Sequence, residues 1–333
     1  MSVSRKFEAA ARYAIRVRET VVLLHWDPYH WDCSLEGLVF SKLDAVTMTR
    51  KKGKKRSKWQ LSLLNCTNQM ECLRTFRSEL FHPFRQEPQR TVRNNASTLR
   101  TLIIPEWTLP HNGRALYSSL RLLKCKSLSD RAASACPVLE KLRVNKQMSR
   151  SMFHHLPADT MRELDCYLGN EGKATGSNAQ FVSGVSSLIH LKRLNVPRLR
   201  IRYWQRIFEN LTRLTDVRIA YRRRVDAAVA SLVQNNPELQ TLELGYVTRD
   251  ALISLSRLNK LEFVELDGWC RHMPADAVLT FLRGGSCHIF RKLSIQHVSH
   301  KVYTLVQAEF QLMREEQGIR SEKHDTQFTV TET

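Results

Sequence analysis

Asn236-Pro237-Glu238-Leu239-Gln240-Thr241-Leu242-Glu243-Leu244 is the stretch that decides the fold. Leu242 and Leu244 stand two residues apart, so both point to one side of a short strand, and Leu239 turns the chain into it. The polar residue and Pro ahead of them mark where a preceding helix stops. The phrase Leu-x-x-Leu-x-Leu, with aliphatic or Cys substitutes, occurs nine times from Leu99 onward. It reads Leu99/Leu102/Ile104, Leu120/Leu123/Cys125, Leu139/Leu142/Val144, Met161/Leu164/Cys166 and Leu191/Leu194/Val196. It continues as Leu214/Val217/Ile219, Leu239/Leu242/Leu244, Leu261/Val264/Leu266 and Phe290/Leu293/Ile295. Successive starts lie 21, 19, 22, 30, 23, 25, 22 and 29 residues apart, and Gly169–Gly176 lies in an insertion that accounts for the longest of these gaps.

Between phrases the apolar period lengthens to that of a helix. Trp204, Ile207, Phe208 and Leu211 fall at i, i+3, i+4 and i+7. Val225, Ala228, Val229, Leu232 and Val233 follow the same rule, as do Ala275, Val278, Leu279 and Leu282. Each repeat is therefore one strand and one helix, each with a single apolar face that about 25 residues cannot cover alone. Repeats must stack on their neighbours. The expected fold is α/β: a curved solenoid with a parallel sheet on the concave side and helices on the convex side.

The chain resembles the leucine-rich-repeat family, and within it the cysteine-containing, ribonuclease-inhibitor-like kind found in F-box proteins. Cys136-Pro137-Val138-Leu139-Glu140-Lys141-Leu142-Arg143-Val144 and the 236–244 phrase carry the resemblance, with Cys125 and Cys166 at the last core position of their own phrases. It covers residues 99–300. The resemblance implies a non-enzymatic module, the substrate-recognition component of an F-box-type ubiquitin ligase. An F-box would open with a Leu-Pro step ahead of the repeats, and no match to one occurs before residue 98; Leu156-Pro157 lies inside the array.

The organisation that follows is an N-terminal region, 1–98, holding degenerate repeats or a cap; a solenoid of about nine repeats, 99–300; a capping helix, 301–316; and a polar, disordered tail, 317–333. In the first region Leu35/Leu38/Phe40 and Leu61/Leu64/Cys66 read as degenerate repeats. Leu73/Phe76 is a competing start only 12 residues after Leu61, so one of the last two is something else. Val302, Leu305, Val306, Phe310 and Met313 give the capping helix its apolar stripe.

Lys and Arg total 52 against 32 for Asp and Glu, a net charge of +20. So basic a chain favours acidic partners: nucleic acid, anionic membrane or acidic protein. Eight cysteines without a C-x-x-C pair, several at core positions, suit a reducing compartment, cytoplasm or nucleus. No apolar run approaches a membrane span. The Arg-rich first 24 residues resemble either a mitochondrial presequence or a basic first helix.

Arg50, Lys51, Lys52, Lys54, Lys55, Arg56 and Lys58 form a run that reads as an exposed loop, a nuclear-import signal or a phosphate-backbone contact. His25 to Cys33 gathers His, Asp and Cys without the repeated spacing of a metal site. His154-His155 lies in a helical stretch, where one His is expected to pack and the other to be solvated. No nucleophile elbow, phosphate loop, metalloprotease helix or dinucleotide fingerprint occurs. No catalytic residue, metal or cofactor is expected.

The residues between core positions of each strand face the concave side, basic early in the array and acidic late, with Glu243, Glu265 and Asp267. The remaining positive charge falls just after the strands, on Lys126, Lys146, Arg198, Arg200, Arg222, Arg223, Arg224, Arg249 and Arg271. Stacking would align these as a rim stripe suited to an acidic or phosphorylated protein segment, with Tyr221, Phe263 and Trp269 as aromatic anchors. A nuclear or ribonucleoprotein RNA scaffold and a mitochondrial assembly factor are the alternative functions.

Overall fold

The computed structural model describes residues 21–23, 45–48, 72–78, 86–104, 106–107, 116–145, 151–167, 178–197, 199, 201–219, 226–245, 247–266, 274–284, 291–318 and 327–332. The chain divides into two compact units, Met1–Met161 and Arg162–Thr333. Each is a stack of strand-and-return repeats with every main-sheet strand parallel to its neighbours, the leucine-rich-repeat solenoid.

In the first unit the sheet runs β1 (Val21–Leu23), β2 (Ala45–Met48), β3 (Thr75–Ser78), β4 (Thr101–Ile103), β6 (Leu122–Cys125) and β8 (Lys141–Val144). A separate two-stranded ladder joins β5 (Glu106–Trp107) to β7 (Ser127–Leu128), on segments that follow β4 and β6. The return segments include α1 (Gln86–Asn94), α2 (Asp130–Ser134) and a 3-10 turn, Ser151–His155. That turn buries Met152 and Phe153 and leaves His154 and His155 both exposed, so neither His packs. A single 3-10 turn repeats every three residues and offers the core only two adjacent positions here.

The second unit runs β9 (Glu163–Cys166), β10 (Arg193–Asn195), β11 (Asp216–Ile219), β12 (Thr241–Leu244), β13 (Phe263–Leu266), β14 (Lys292–Val298) and β15 (Gln327–Glu332) in chain order. Between them lie α3 (Asn178–Ser186), α4 (Ile201–Asn210), α5 (Asp226–Asn235), α6 (Arg249–Leu255), α7 (Ala275–Leu282) and α8 (His300–Gly318), each stacked on the next. The stripe read at Trp204, Ile207, Phe208 and Leu211 is fully buried, with Trp204 stacked on Phe208 at 5.3 Å between ring centroids.

Register is set by the apolar rows. Phe76, Leu102, Leu123 and Leu142 are paired neighbours in the first unit and are buried. Leu164, Leu194, Val217, Leu242, Val264 and Leu293 form the corresponding row in the second. Shifting one strand by a residue would turn its whole apolar set to the opposite face, so the rows lock the stack.

Two features differ from the sequence reading. The last repeat before Leu99 is Leu73/Phe76, whose β3 pairs with β4; β2 then places Val46 opposite Phe76, marking Leu43-x-x-Val46-x-Met48 as a repeat phrase. Leu35/Leu38/Phe40 and Leu61/Leu64/Cys66 lie outside the described residues. The tail expected to be disordered from residue 317 contains β15, paired with β14 from Lys292↔Gln327 onward. Phe328 and Val330 alternate with polar residues there, the period of a strand, and the pairing covers the open edge β14 would otherwise present.

Polar cross-links fasten repeat to repeat where the returns end. The buried Asn236 side chain accepts from the Leu214 N–H at 2.8 Å, and Asn95 accepts from the Leu73 N–H at 2.8 Å. Each Asn therefore satisfies the backbone at the start of the preceding phrase. Cys136 takes the same place, with its thiol donating to the Ala132 carbonyl at 3.3 Å. Gly284 closes α7 where Ser256 comes so near that a Cβ would lie 2.6 Å from its carbonyl oxygen. Arg283 forks onto Glu309 at 2.7 and 2.9 Å, joining α7 to α8.

Asn236→Ala strands the Leu214 N–H in the core and should destabilise the protein by about 1–3 kcal/mol, whereas Gln234→Ala, at an exposed position near the end of the same return helix, should lose less. Urea denaturation of the three proteins checks this; equal losses for both substitutions would remove the acceptor from the account.

Candidate interaction surface

The strands alternate inward apolar and outward polar residues, so each sheet has one open face on which equal positions of successive repeats stand side by side, about 4.8 Å apart. In the second unit one row runs Glu163, Arg193, Asp216, Thr241, Phe263, Lys292 and the next runs Asp165, Asn195, Arg218, Glu243, Glu265, Ser294.

The charges of this face answer one another. Arg193 reaches Asp216 through Nη2 at 2.5 Å and Nε at 2.6 Å, with Glu163 on its other side at 3.8 Å. Arg218 lies 3.2 Å from Glu243 and 3.9 Å from Asp216, and Lys292 lies 3.6 Å from Glu265. Asn195 donates to Asp165 at 3.0 Å. Asp216 is buried to 7% exposure beneath its two arginines, and Ser294 is buried as well, so these two positions are not displayed as the alternation predicts. Glu243 and Glu265 sit directly opposite each other, a like-charge pair that their separate partners Arg218 and Lys292 offset.

The first unit is different in kind. Its rows read Thr75, Thr101, Leu122, Lys141 and Arg77, Ile103, Lys124, Arg143. None of these eight positions is Asp or Glu. Directly before them, at the start of each strand, Arg74, Arg100 and Arg121 are stacked in sequence, with the Arg100 N–H donating to the Arg74 carbonyl at 2.7 Å and the Arg121 N–H to that of Arg100 at 2.9 Å. Glu140 follows in the same column and accepts from Arg121 at 2.9 Å. This column escaped the sequence reading, which tracked residues between core positions; its signal is the residue immediately after the first Leu of each phrase.

Of the rim residues read from the sequence, two are described. Lys126 is exposed between β6 and β7. Arg249 lies in the first turn of α6, whose N-cap Thr248 also bonds Asp226, and its guanidinium meets Asp276 at 3.1 Å. Lys146, Arg198, Arg200, Arg222, Arg223, Arg224 and Arg271 lie outside the described residues, as do Tyr221, Trp269, the 50–58 run and the 25–33 cluster. Phe263 is 38% exposed on the open face, between Thr241 and Lys292.

The buried thiols are chemically quiet. Burial pushes the Cys125 thiol up to about 12 from its ordinary 9.0. It also pushes up Cys136, with Cys125 adding to the effect, and Cys166, with Asp165 adding to it. A thiol held protonated is a poor nucleophile and a poor metal ligand. Among the described residues no group of three or more His, Cys, Asp or Glu could hold a metal ion, and no helix is long and apolar enough to cross a membrane.

No family model matches the chain, and the search of curated proteins found no match. A solved structure, the TLR13–ssRNA13 complex, aligns over 78% of this chain at 14% identity and a TM-score of 0.48. This chain spans 40% of the length of that one.

The raised thiols give a signed pH prediction. The folded chain keeps Cys125, Cys136 and Cys166 protonated where the unfolded chain ionises them, so their contribution to stability is intact below about pH 9 and is lost as pH rises toward 12. Iodoacetamide at pH 8 should label the exposed Cys72 in the native protein and spare those three until denaturant is added. Native-state labelling of Cys166 at the rate of Cys72, read by peptide mass mapping, would contradict the burial.

Proposed function

We propose that the protein is a non-catalytic interaction module, and that it serves as the substrate-recognition component of an F-box-type ubiquitin ligase, taking an acidic or phosphorylated segment of its client. The observation that carries the reading is the open strand face, where in-register rows present charged side chains on a rigid parallel sheet. Such a surface suits a macromolecular partner: it gives many shallow contacts and needs no cavity.

The net charge of +20 supports an acidic client. In this reading the rim supplies part of the contact through Lys126, Lys146, Arg198, Arg200, Arg222, Arg223, Arg224, Arg249 and Arg271. Tyr221, Phe263 and Trp269 act as anchors, aromatic and Arg side chains being the usual hot spots of interfaces. The 50–58 run directs the chain to the nucleus, so that it works in nucleus and cytoplasm. The ligase role rests on the resemblance of the 136–144 and 236–244 phrases to F-box leucine-rich-repeat proteins. No catalytic residue, metal or cofactor enters the scheme.

Affinity purification of the full chain from cells tests it, beside an Arg222/Arg223/Arg224→Glu variant. The expected result is recovery of ligase adaptor and cullin with both proteins, and of a client with the wild type alone. Recovery of RNA-associated or mitochondrial proteins without ligase subunits would sink the ligase role.

A further inference from the structure

The residue after the first core position of each phrase forms a column along the start of the strands, and that column displays its own reach. Where an Arg and a Glu adjoin in it, they meet across one strand spacing. Arg121 lies 2.9 Å from Glu140, and Arg291 lies 3.0 Å from Glu262. Where two cations adjoin, at Arg162 and Lys192, Arg162 donates to the His190 carbonyl at 3.3 Å. Arg74 and Arg100 also adjoin, both are exposed, and among the described residues neither forms an ion pair.

Their spacing is fixed by the backbone. The Arg74 carbonyl accepts from the N–H groups of Arg100 and Thr101 at 2.7 and 2.9 Å, which holds the two arginines on adjacent strands, about 4.8 Å apart. Like charges on adjacent strands repel. An anion seated between them removes that repulsion and is within the lateral reach that Arg121 and Arg291 show.

We infer that Arg74 and Arg100, with the hydroxyls of Thr75 and Thr101, form a phosphate-binding site for a phosphoserine or phosphothreonine in a partner protein. The inference rests on the interaction-module reading and deepens it, giving a phosphorylated client its point of attachment in the first unit.

The chemistry of the site selects a phosphomonoester. A carboxylate carries one charge on two oxygens and is met by a single guanidinium, as Glu140 is by Arg121. A phosphomonoester carries about −1.5 to −2 at pH 7 and three strong acceptor oxygens, enough for a guanidinium on either side. Thr75 and Thr101, each directly after its Arg, are paired neighbours and part-exposed, and a hydroxyl can donate to a remaining oxygen. A nucleic acid fits less well. Its diester phosphates repeat along a strand with one charge each, whereas this column turns acidic at Glu140, so a polyanion tracking it would meet a carboxylate.

The test uses the full chain and fluorescence anisotropy. The probe is a fluorescein-labelled mixture of peptides about nine residues long, with phosphoserine fixed at the centre and mixed flanking residues, about 30 Å when extended. Comparison ligands are the same mixture with Ser or Glu at the centre, and an oligothymidylate of similar length. The variants are Arg74→Ala/Arg100→Ala, Arg74→Lys/Arg100→Lys and Arg206→Ala/Arg257→Ala. The Lys pair keeps the charge and loses the guanidinium fork. The last pair removes equal charge at exposed positions, within α4 and just after α6. Circular dichroism melts establish that each variant folds, and the Lys pair carries the test if the Ala pair does not.

The wild type should bind the phosphoserine mixture roughly tenfold or more tightly than the Ser mixture, and more tightly than the Glu mixture or the oligothymidylate. The Ala pair should lose that preference, the Lys pair should keep only part of it, and the Arg206/Arg257 variant should match the wild type. No phosphoserine preference in the wild type, a full preference surviving in the folded Ala or Lys pair, or equal or tighter binding of the oligothymidylate would overturn the assignment. Those outcomes leave the ligase role standing, because that role fails only if adaptor and cullin are not recovered from cells.

Discussion

No repeat of this chain can bury its own strand, and the rest of the structure depends on that. A strand such as Thr241–Leu244 has two inward leucines and a single return helix, too little to exclude water alone. Stacked against its neighbours, it places Leu242 between Val217 and Val264 at 0–1% exposure. The hydrophobic gain comes only with the neighbours in register, so burial and alignment are one event. The Asn95 and Asn236 cross-links then satisfy backbone donors that the stacking seals from water.

Alignment of the cores also aligns everything else. Because Leu102 must face Leu123, Ile103 must stand beside Lys124, and a residue's outward neighbours are fixed by positions some twenty residues away in sequence. Charge becomes a property of rows. In the second unit the rows mix signs and neutralise themselves: Arg193 is held between Glu163 and Asp216, and Arg218 between Asp216 and Glu243. A pair with both members part-exposed, such as Arg218–Glu243, contributes little to stability, about 1 kcal/mol or less, whereas Asp216 is buried beneath Arg193 and Arg218. In the first unit the corresponding rows read Thr75, Thr101, Leu122, Lys141 and Arg77, Ile103, Lys124, Arg143.

The architecture was legible because it is written twice, in the period-2 ladder of Leu242 and Leu244 and in the helical spacing of Trp204, Ile207, Phe208 and Leu211. Repetition supplied what one phrase could not. The repeat at Leu43/Val46/Met48 was hidden because Val and Met stand where Leu is sought, and only the pairing of β2 with β3 exposes it. Strand β15 was hidden by polar composition, since the free edge of β14 matters there as much as apolar content. The interaction surface was legible in part. The outward residues of the strands from the Leu99 phrase to the Phe290 phrase could be named from sequence, but salt bridges between repeats could not. Asp216 looks like a displayed acid in the sequence and is a buried brace in the fold. The Arg74–Arg100–Arg121 column needs the register before three separated arginines become neighbours.

The claim that register creates the outward rows is tested most directly by disulfide mapping across two strands of the first unit. Thr101 and Leu122 are paired neighbours, at a separation of about 4.8 Å that a disulfide spans, whereas Thr101 and Lys124 are offset by two residues along the strand. In the full chain, Thr101→Cys/Leu122→Cys should cross-link on mild oxidation and Thr101→Cys/Lys124→Cys should not, as read by mass mapping of the linked peptides. Preferential cross-linking of the offset pair would mean a different register, and with it different rows and a different surface.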